Sequence, residues 1–281
     1  MAAEQVLVLG GGGVAGIAWM TGLLAGLADC GQDVTGGTDL VIGTSAGANV
    51  AAQLGGGLPL DDLFARQVDP ALQSRELMAE IDWEKFAADL EPHLAGAGTP
   101  AEQLRKFGEF ALAAQTVPEP ERRAVIESRL PSRDWPATPT TLVAVDCGSG
   151  ALAAFDASSG VSVVDAVAAS SAVPGIWPPV TIGGRRYMDG GVRSPDNADL
   201  AAGAARVIVL SPLGLDSPLP SFLPLRAAVA RLKDDGAQVT VISPDEASTA
   251  AIGSNALDPA TRVPAAAAGR RQGRAGLPPA F

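Results

Sequence analysis

Residues 39–47, Asp39-Leu40-Val41-Ile42-Gly43-Thr44-Ser45-Ala46-Gly47, decide how this chain folds. Leu40-Val41-Ile42 favours a β-strand, and Ala46-Gly47-Ala48-Asn49-Val50-Ala51-Ala52 favours a helix. Ser45 is therefore predicted at a sharp strand-to-helix turn. With Gly43 and Gly47 on either side the stretch has the G-x-S-x-G form, which holds a serine hydroxyl clear at the end of a sheet strand. Glycines there tolerate strained backbone and let the helix cross close to the strand. The helix start supplies free N–H groups and a positive dipole end where an oxyanion would form. The competing reading is a plain glycine turn, in a chain of 281 residues with 33 glycines.

Upstream, Val6-Leu7-Val8-Leu9 reads as a fully buried strand, Gly10 to Gly13 as a loop, and Val14 to about Cys30 as a helix closed by Gly31. Ile17, Trp19, Met20, Leu23, Leu24 and Leu27 spread over more than one face, so that helix is expected to be buried. No charge occurs from Val6 to Ala28, a run long enough to suggest a membrane span. Seven of its positions are glycine and no Lys or Arg precedes it, so neither a spanning helix nor a signal peptide is expected.

Downstream, Gly55-Gly56-Gly57 ends the helix after Ser45, and residues 58–137 change character. Most charges of the first half lie there, and no strand pattern appears. Thr99-Pro100-Ala101-Glu102 is a helix start: a capping Thr, Pro at the first helical position and Glu to reach back. The segment is predicted to be a helical insertion that either caps a cleft or pads a sheet edge. From Thr140, strand and helix alternate again. Residues 141–145 and 151–155 read as strands, and 163–171 as a helix. Residues 180–182 and 185–188 form a hairpin on Gly183-Gly184. Residues 207–210 and 239–242 are strands around a helix from Leu223 to about Leu232. A last helix opens at Asp258-Pro259 and runs to Arg270-Arg271, and the tail after Gly273 is expected to fray. The pattern predicts a single α/β domain, three layers deep (α/β/α), around a mostly parallel central sheet. Its core is about 5–57 and 138–245, with the insertion at 58–137 and a C-terminal helix and tail at 246–281.

The formal charge of −11 argues against nucleic acid as a partner and against strong adsorption to anionic bilayers. Two cysteines, Cys30 and Cys147, cannot make a disulfide framework, so reduced core thiols and a cytoplasmic location are expected.

Gly11-Gly12-Gly13-Val14-Ala15-Gly16 follows a strand and opens a helix, as the dinucleotide fingerprint G-x-G-x-x-G does. That reading wants an acidic residue ending the next strand, and Gly43-Thr44-Ser45 stands there instead. The same loop suits an anion-binding nest of successive N–H groups beside Ser45. Asp189-Gly190-Gly191 leaves the hairpin, where it is either an ordinary turn or a carboxylate carried close to another backbone. A serine nucleophile needs a base. The chain has one histidine, His93, beside Pro92 in the insertion. A Ser-His-Asp triad and a Ser-Asp dyad, in which a carboxylate takes the serine proton directly, both remain open.

Taken in order, Gly11-Gly12-Gly13-Val14-Ala15-Gly16, Gly43-Thr44-Ser45-Ala46-Gly47 and Asp189-Gly190-Gly191 resemble the three signatures of patatin-like phospholipases, the lipid acyl hydrolases. Ala168-Ala169-Ser170-Ser171-Ala172-Val173-Pro174 and Pro178-Pro179-Val180 resemble the family too, and the likeness covers roughly residues 5–212. The resemblance implies a Ser45–Asp189 dyad without histidine and an oxyanion hole of amides from Gly11, Gly12, Gly13 and Ala46. Gly16, Gly43, Gly47, Gly190 and Gly191 are its motif glycines. It implies hydrolysis of fatty-acyl esters through an acyl-serine intermediate, with no metal or cofactor. The partner would be a lipid or ester substrate, met in transient contact with a membrane surface. Ala15 stands where the family usually carries Arg or Lys, so phospholipid preference is less secure than hydrolase chemistry. Arg185, Arg186 and Arg193 flank Asp189, where they either supply positive charge or, as expected, are solvated hairpin arginines. The alternatives are a catalytically silent lipid- or protein-binding module on the same fold and a dinucleotide-binding oxidoreductase.

Overall fold

A computed structural model describes residues 3–78, 83–94, 98–216 and 222–277. One sheet holds β1 (Gln5–Leu9), β2 (Leu40–Thr44), β3 (Thr140–Asp146), β4 (Leu152–Phe155), β5 (Val180–Ile182), β6 (Arg185–Asp189), β7 (Arg206–Leu210) and β8 (Gln238–Ile242). The hydrogen-bonded path is β5-β6-β3-β2-β1-β7-β8, with β4 also paired to β3. β3, β2, β1, β7 and β8 run parallel, whereas β4 and β6 oppose β3 and β5 opposes β6. Gly183 and Gly184, at φ 58° and 79°, make the two-residue turn between β5 and β6, where both positions need the left-handed region.

Both sheet faces are buried, as the uninterrupted apolar strands predicted. Leu7, Leu9, Val41, Leu142, Ala144, Ile208 and Leu210 face one core. This core is closed by α1 (Gly13–Asp29), α2 (Ala46–Leu54) and α7 (Val163–Ser170). Val6, Val8, Ile42, Val143, Val207, Val209 and Val239 face the other, closed by α8 (Leu225–Asp234). The uncharged run from Val6 is β1, a loop and the 17-residue α1. No helix among the described residues is long and apolar enough to cross a membrane.

The insertion is helical: α3 (Leu60–Val68), α4 (Trp83–Leu94), α5 (Pro100–Ala113) and α6 (Glu119–Arg129). Thr99 and Glu102 cap α5 reciprocally, Thr99 Oγ1 accepting from Glu102 N at 3.3 Å and Glu102 Oε2 from Thr99 N at 2.9 Å. His93 lies in α4, directly after Pro92.

The C-terminal region departs from expectation. A helix α9 (Glu246–Ile252) precedes a 3₁₀ turn at Pro259–Thr261 and α10 (Arg262–Gly273). Asp245 caps α9 through Ser248 N at 2.7 Å, a start signal hidden in a run of Ala, Ser and Thr with little apolar period. α10 lies backbone to backbone on α1: a Cβ at Gly22, Gly26, Gly269 or Gly273 would collide with main chain of the facing helix. The tail just past Gly273 is anchored rather than frayed. Arg274 Nε donates to Asp29 at 2.7 Å and Leu277 N to Gln32 Oε1 at 2.7 Å. Residues 278–281 lie outside the described residues. Cys147 is a buried core thiol as expected, but Cys30 is exposed at the end of α1.

Candidate active site

The register of β3 brings the serine turn and the aspartate together. β4 pairs with Leu142–Val145 along one edge of β3. The other edge is shared, β2 pairing up to Thr44↔Val143 and β6 continuing from Asp189↔Ala144. Two strands thus approach head to head, and their C-terminal residues open into one space. Asp189 is buried, and the Ser45 side chain and the Gly191 amide are the groups near it that favour its charged form. Gly191 N donates to Asp189 Oδ1 at 2.7 Å. Burial pushes the Asp189 carboxyl up to about 7, and the Ser45 side chain and the Gly191 amide oppose the shift without cancelling it.

Ser45 holds φ 53° and ψ −111°, a conformation that costs a non-glycine residue about 1–3 kcal/mol and needs outside support. Ser170 supplies it: its Oγ accepts from Ser45 N at 2.9 Å and donates to Val143 O at 2.6 Å. Asn49 Nδ2 donates to Ser45 O at 3.0 Å. Gly47 is forced, because a Cβ there would strike Leu9 O; its amide donates to Gly10 O at 3.0 Å. Gly190 is forced by Val143 O, and Gly43 by the backbone of Ala48.

The glycine loop after β1 runs alongside, its Gly11 facing the Ser45 side chain. The four expected oxyanion donors divide. Gly11 N donates to Pro195 O at 2.8 Å, so this amide is committed to holding the loop and leaves the donor set. The amides of Gly12, Gly13 and Ala46 meet no acceptor among the described residues; those of Gly13 and Ala46 are first-turn groups of α1 and α2. Gly16 packs against Ala46 and Pro212. The loop thus runs beside the serine turn with its Gly12 and Gly13 amides uncommitted among the described residues. Ala15 is fully buried.

Several residues outside the sequence signatures hold this geometry. Asn197, left-handed at φ 48°, donates from Nδ2 to Thr44 Oγ1 (3.1 Å), Gly190 O (3.2 Å) and Ser194 O (2.8 Å), clamping the β2 end to the aspartate turn. Pro195-Asp196-Asn197 carries a turn signature that could have flagged it. Asp196 sits against Gly10, and burial pushes its carboxyl up to about 7. Of the flanking arginines, Arg185 is exposed as expected. Arg193 instead pairs with Asp199 at 2.6 Å, and Arg186 donates to Pro179 O at 2.7 Å.

Across from the sheet ends, the cleft is lined by Glu76, Leu77, Arg122, Arg129, Val173, Trp177 and Leu257. Glu76 is buried between Arg129 (2.5 Å) and Arg262, which hold its carboxyl below the usual range despite burial. Arg129 Nη1 also donates to Asn49 Oδ1 at 3.2 Å, which ties this wall to the serine turn. The insertion therefore walls the cleft rather than padding an edge. Neither Glu76 nor these arginines stand in a motif, and only the folded chain brings them together. Among the described residues no group of three His, Cys, Asp or Glu is placed to hold a metal ion.

A sequence model of the family described as patatin-like phospholipase matches residues 7–202, and no curated protein matches the chain. Two solved structures are similar in shape. One is VipD from Legionella pneumophila, at 12% identity and a TM-score of 0.45 over 97% of this chain. The other is the type III effector protein ExoU, at 15% identity and a TM-score of 0.40, also over 97% of this chain. The chain spans 66% of the length of the first and 52% of the second.

Proposed function

Because the chain belongs to the patatin-like phospholipase family, we propose that it is a serine hydrolase of fatty-acyl esters in phospholipids or other lipids, working through a Ser45–Asp189 dyad. One observation carries this reading: a buried carboxyl near neutrality has the serine side chain beside it, next to three amides that meet no acceptor among the described residues. Asp189 takes the Ser45 proton as Oγ attacks the ester carbonyl. The amides of Gly12, Gly13 and Ala46 stabilise the tetrahedral oxyanion; losing one such donor typically costs about 10²–10³ in rate. The proton then passes to the leaving alcohol, and water repeats the sequence on the acyl-serine. A pKa of about 7 suits the role, since the group both accepts and returns a proton near neutral pH.

Leu72 and Met78 expose apolar side chains on the segment that carries Glu76, which supports transient contact with a lipid surface. Two free thiols support a cytoplasmic location. The test is covalent labelling with a fluorophosphonate and turnover of p-nitrophenyl and lipid esters. Label is expected on Ser45, and Ser45→Ala is expected to lose about 10⁴-fold or more in turnover. A folded protein that neither labels nor turns over would be a silent lipid- or protein-binding module.

A further inference from the structure

The cleft wall opposite Ser45 is rich in donors and short of acceptors. Three guanidinium groups, Arg122, Arg129 and Arg262, surround one carboxylate, Glu76. Arg129 and Arg262 hydrogen-bond to Glu76, whereas Arg122 feels its charge without a hydrogen bond to it. Arg122 is 7% exposed, yet its Nε and Nη1 meet no acceptor among the described residues. Its guanidinium lies over the ring of Trp177, 3.9 Å from the centroid, and the buried Trp177 Nε1 also lacks an acceptor. Burial and the neighbouring Arg129 push Arg122 down to about 9, so it is still charged at pH 7. A buried, unpaired guanidinium is expensive, and its planar fork fits an oxyanion with two parallel hydrogen bonds. The excess of positive charge here sits in a chain of net charge −11.

We propose that Arg122, backed by Trp177 on the wall of the Ser45 cleft, is an anion subsite that takes the phosphodiester of an acyl-ester substrate. This deepens, and rests on, the hydrolase reading. The guanidinium fork and the indole N–H donate to the phosphate oxygens while the acyl carbonyl meets Ser45. Arg129 and Arg262 stay committed to Glu76 and add charge without direct contact. The subsite then favours esters bearing a phosphodiester over uncharged esters of the same acyl chain.

The experiment compares 1-palmitoyl-lysophosphatidylglycerol with 1-palmitoylglycerol as the ratio of their kcat/KM values. Arg122→Gln is expected to lower that ratio about 10–100-fold, the range for losing hydrogen bonds to a charged group, and Arg122→Lys to lower it less. A purely structural role would lower both rates together and leave the ratio in place; a ratio within twofold of wild type in both folded variants overturns the proposal. Calorimetric titration of inorganic phosphate gives a readout without turnover. Wild type is expected to bind one phosphate, and Arg122→Gln at least tenfold more weakly. If wild type hydrolyses neither ester but phosphate still binds through Arg122, the anion subsite stands and the hydrolase reading falls. If both esters are hydrolysed and neither the ratio nor phosphate binding responds to Arg122→Gln, the subsite falls and the hydrolase reading stands. Phosphate bound at Arg122 with an unmoved ratio makes free phosphate the ligand and overturns the headgroup assignment.

Discussion

The sheet side and the helical side of the site are built on opposite electrostatic plans. On the sheet side, Asp189 and Asp196 are buried without a cation, and both are pushed up to about 7. On the helical side, the Glu76 carboxylate is buried too, but two guanidinium groups hold it below the ordinary carboxylate value. Burial alone therefore does not decide what a carboxyl does; the neighbouring charge decides. The sheet wall keeps a carboxyl that can change its proton near neutral pH, and the helical wall keeps fixed charges. Asn49 joins them, holding Ser45 O with its amide nitrogen and Arg129 with its oxygen.

The hardest blow to this division is Asp189→Asn, expected to cut kcat/KM by about 10³–10⁴ while the protein stays folded. In the wild type, kcat/KM should fall as pH drops through about 7, because Asp189 becomes protonated, and the residual activity of Asp189→Asn should lack that limb. Stability should move the other way. A carboxyl whose folded pKa lies above its unfolded value stabilises the fold fully below that unfolded value, and the contribution is lost as pH rises through the folded one. Asp189→Asn is therefore expected to gain thermal stability over wild type at pH 8, with the gain shrinking towards pH 4. A thermal melt series at four pH values measures it; equal pH dependence in the two proteins contradicts the buried, uncompensated carboxyl.

The helical wall should break differently. Glu76→Gln leaves Arg129 and Arg262 buried without a counter-charge and is expected to cost about 3–5 kcal/mol in denaturant unfolding. Here the pH sign is reversed. Glu76 has a lowered folded pKa, so its contribution is present above the ordinary Glu value and fades only as pH falls below it. A loss under 1 kcal/mol would show that the network is held by packing, not by charge.

Legibility followed the same division. The sheet wall was readable because each feature there is a local rule in consecutive residues: apolar strands, forced glycines, Gly183-Gly184 at a hairpin, Ser45 at a change of period. Even so, pattern alone could not tell that the Gly11 amide is spent on Pro195, since that bond depends on a loop residue about 180 residues away. The helical wall was opaque. Glu76 meets Arg129 and Arg262 across 53 and 186 residues, and no spacing rule links charges that far apart. The α1–α10 contact was hidden for a related reason. Gly22, Gly26, Gly269 and Gly273 mark a close backbone approach only when both helices are seen, whereas singly each looks like a weak point in a helix.

The smallest expected effect separates the walls most cleanly. His93, in α4, is the chain's one histidine and the group that a Ser-His-Asp triad would require. If the proton acceptor belongs to the sheet wall, the insertion contributes selectivity and shape but no base. His93→Ala should then leave kcat/KM on a p-nitrophenyl ester within twofold of wild type. Its pH profile should keep the limb near 7, because that limb belongs to Asp189. An imidazole of ordinary pKa, about 6.5, would put a limb in nearly the same place, so the wild-type profile alone cannot assign it. The pair of variants can: a limb that survives His93→Ala and vanishes in Asp189→Asn places the base on the sheet. A limb that vanishes in His93→Ala, with turnover down by orders of magnitude, moves it to the helical insertion and removes the dyad.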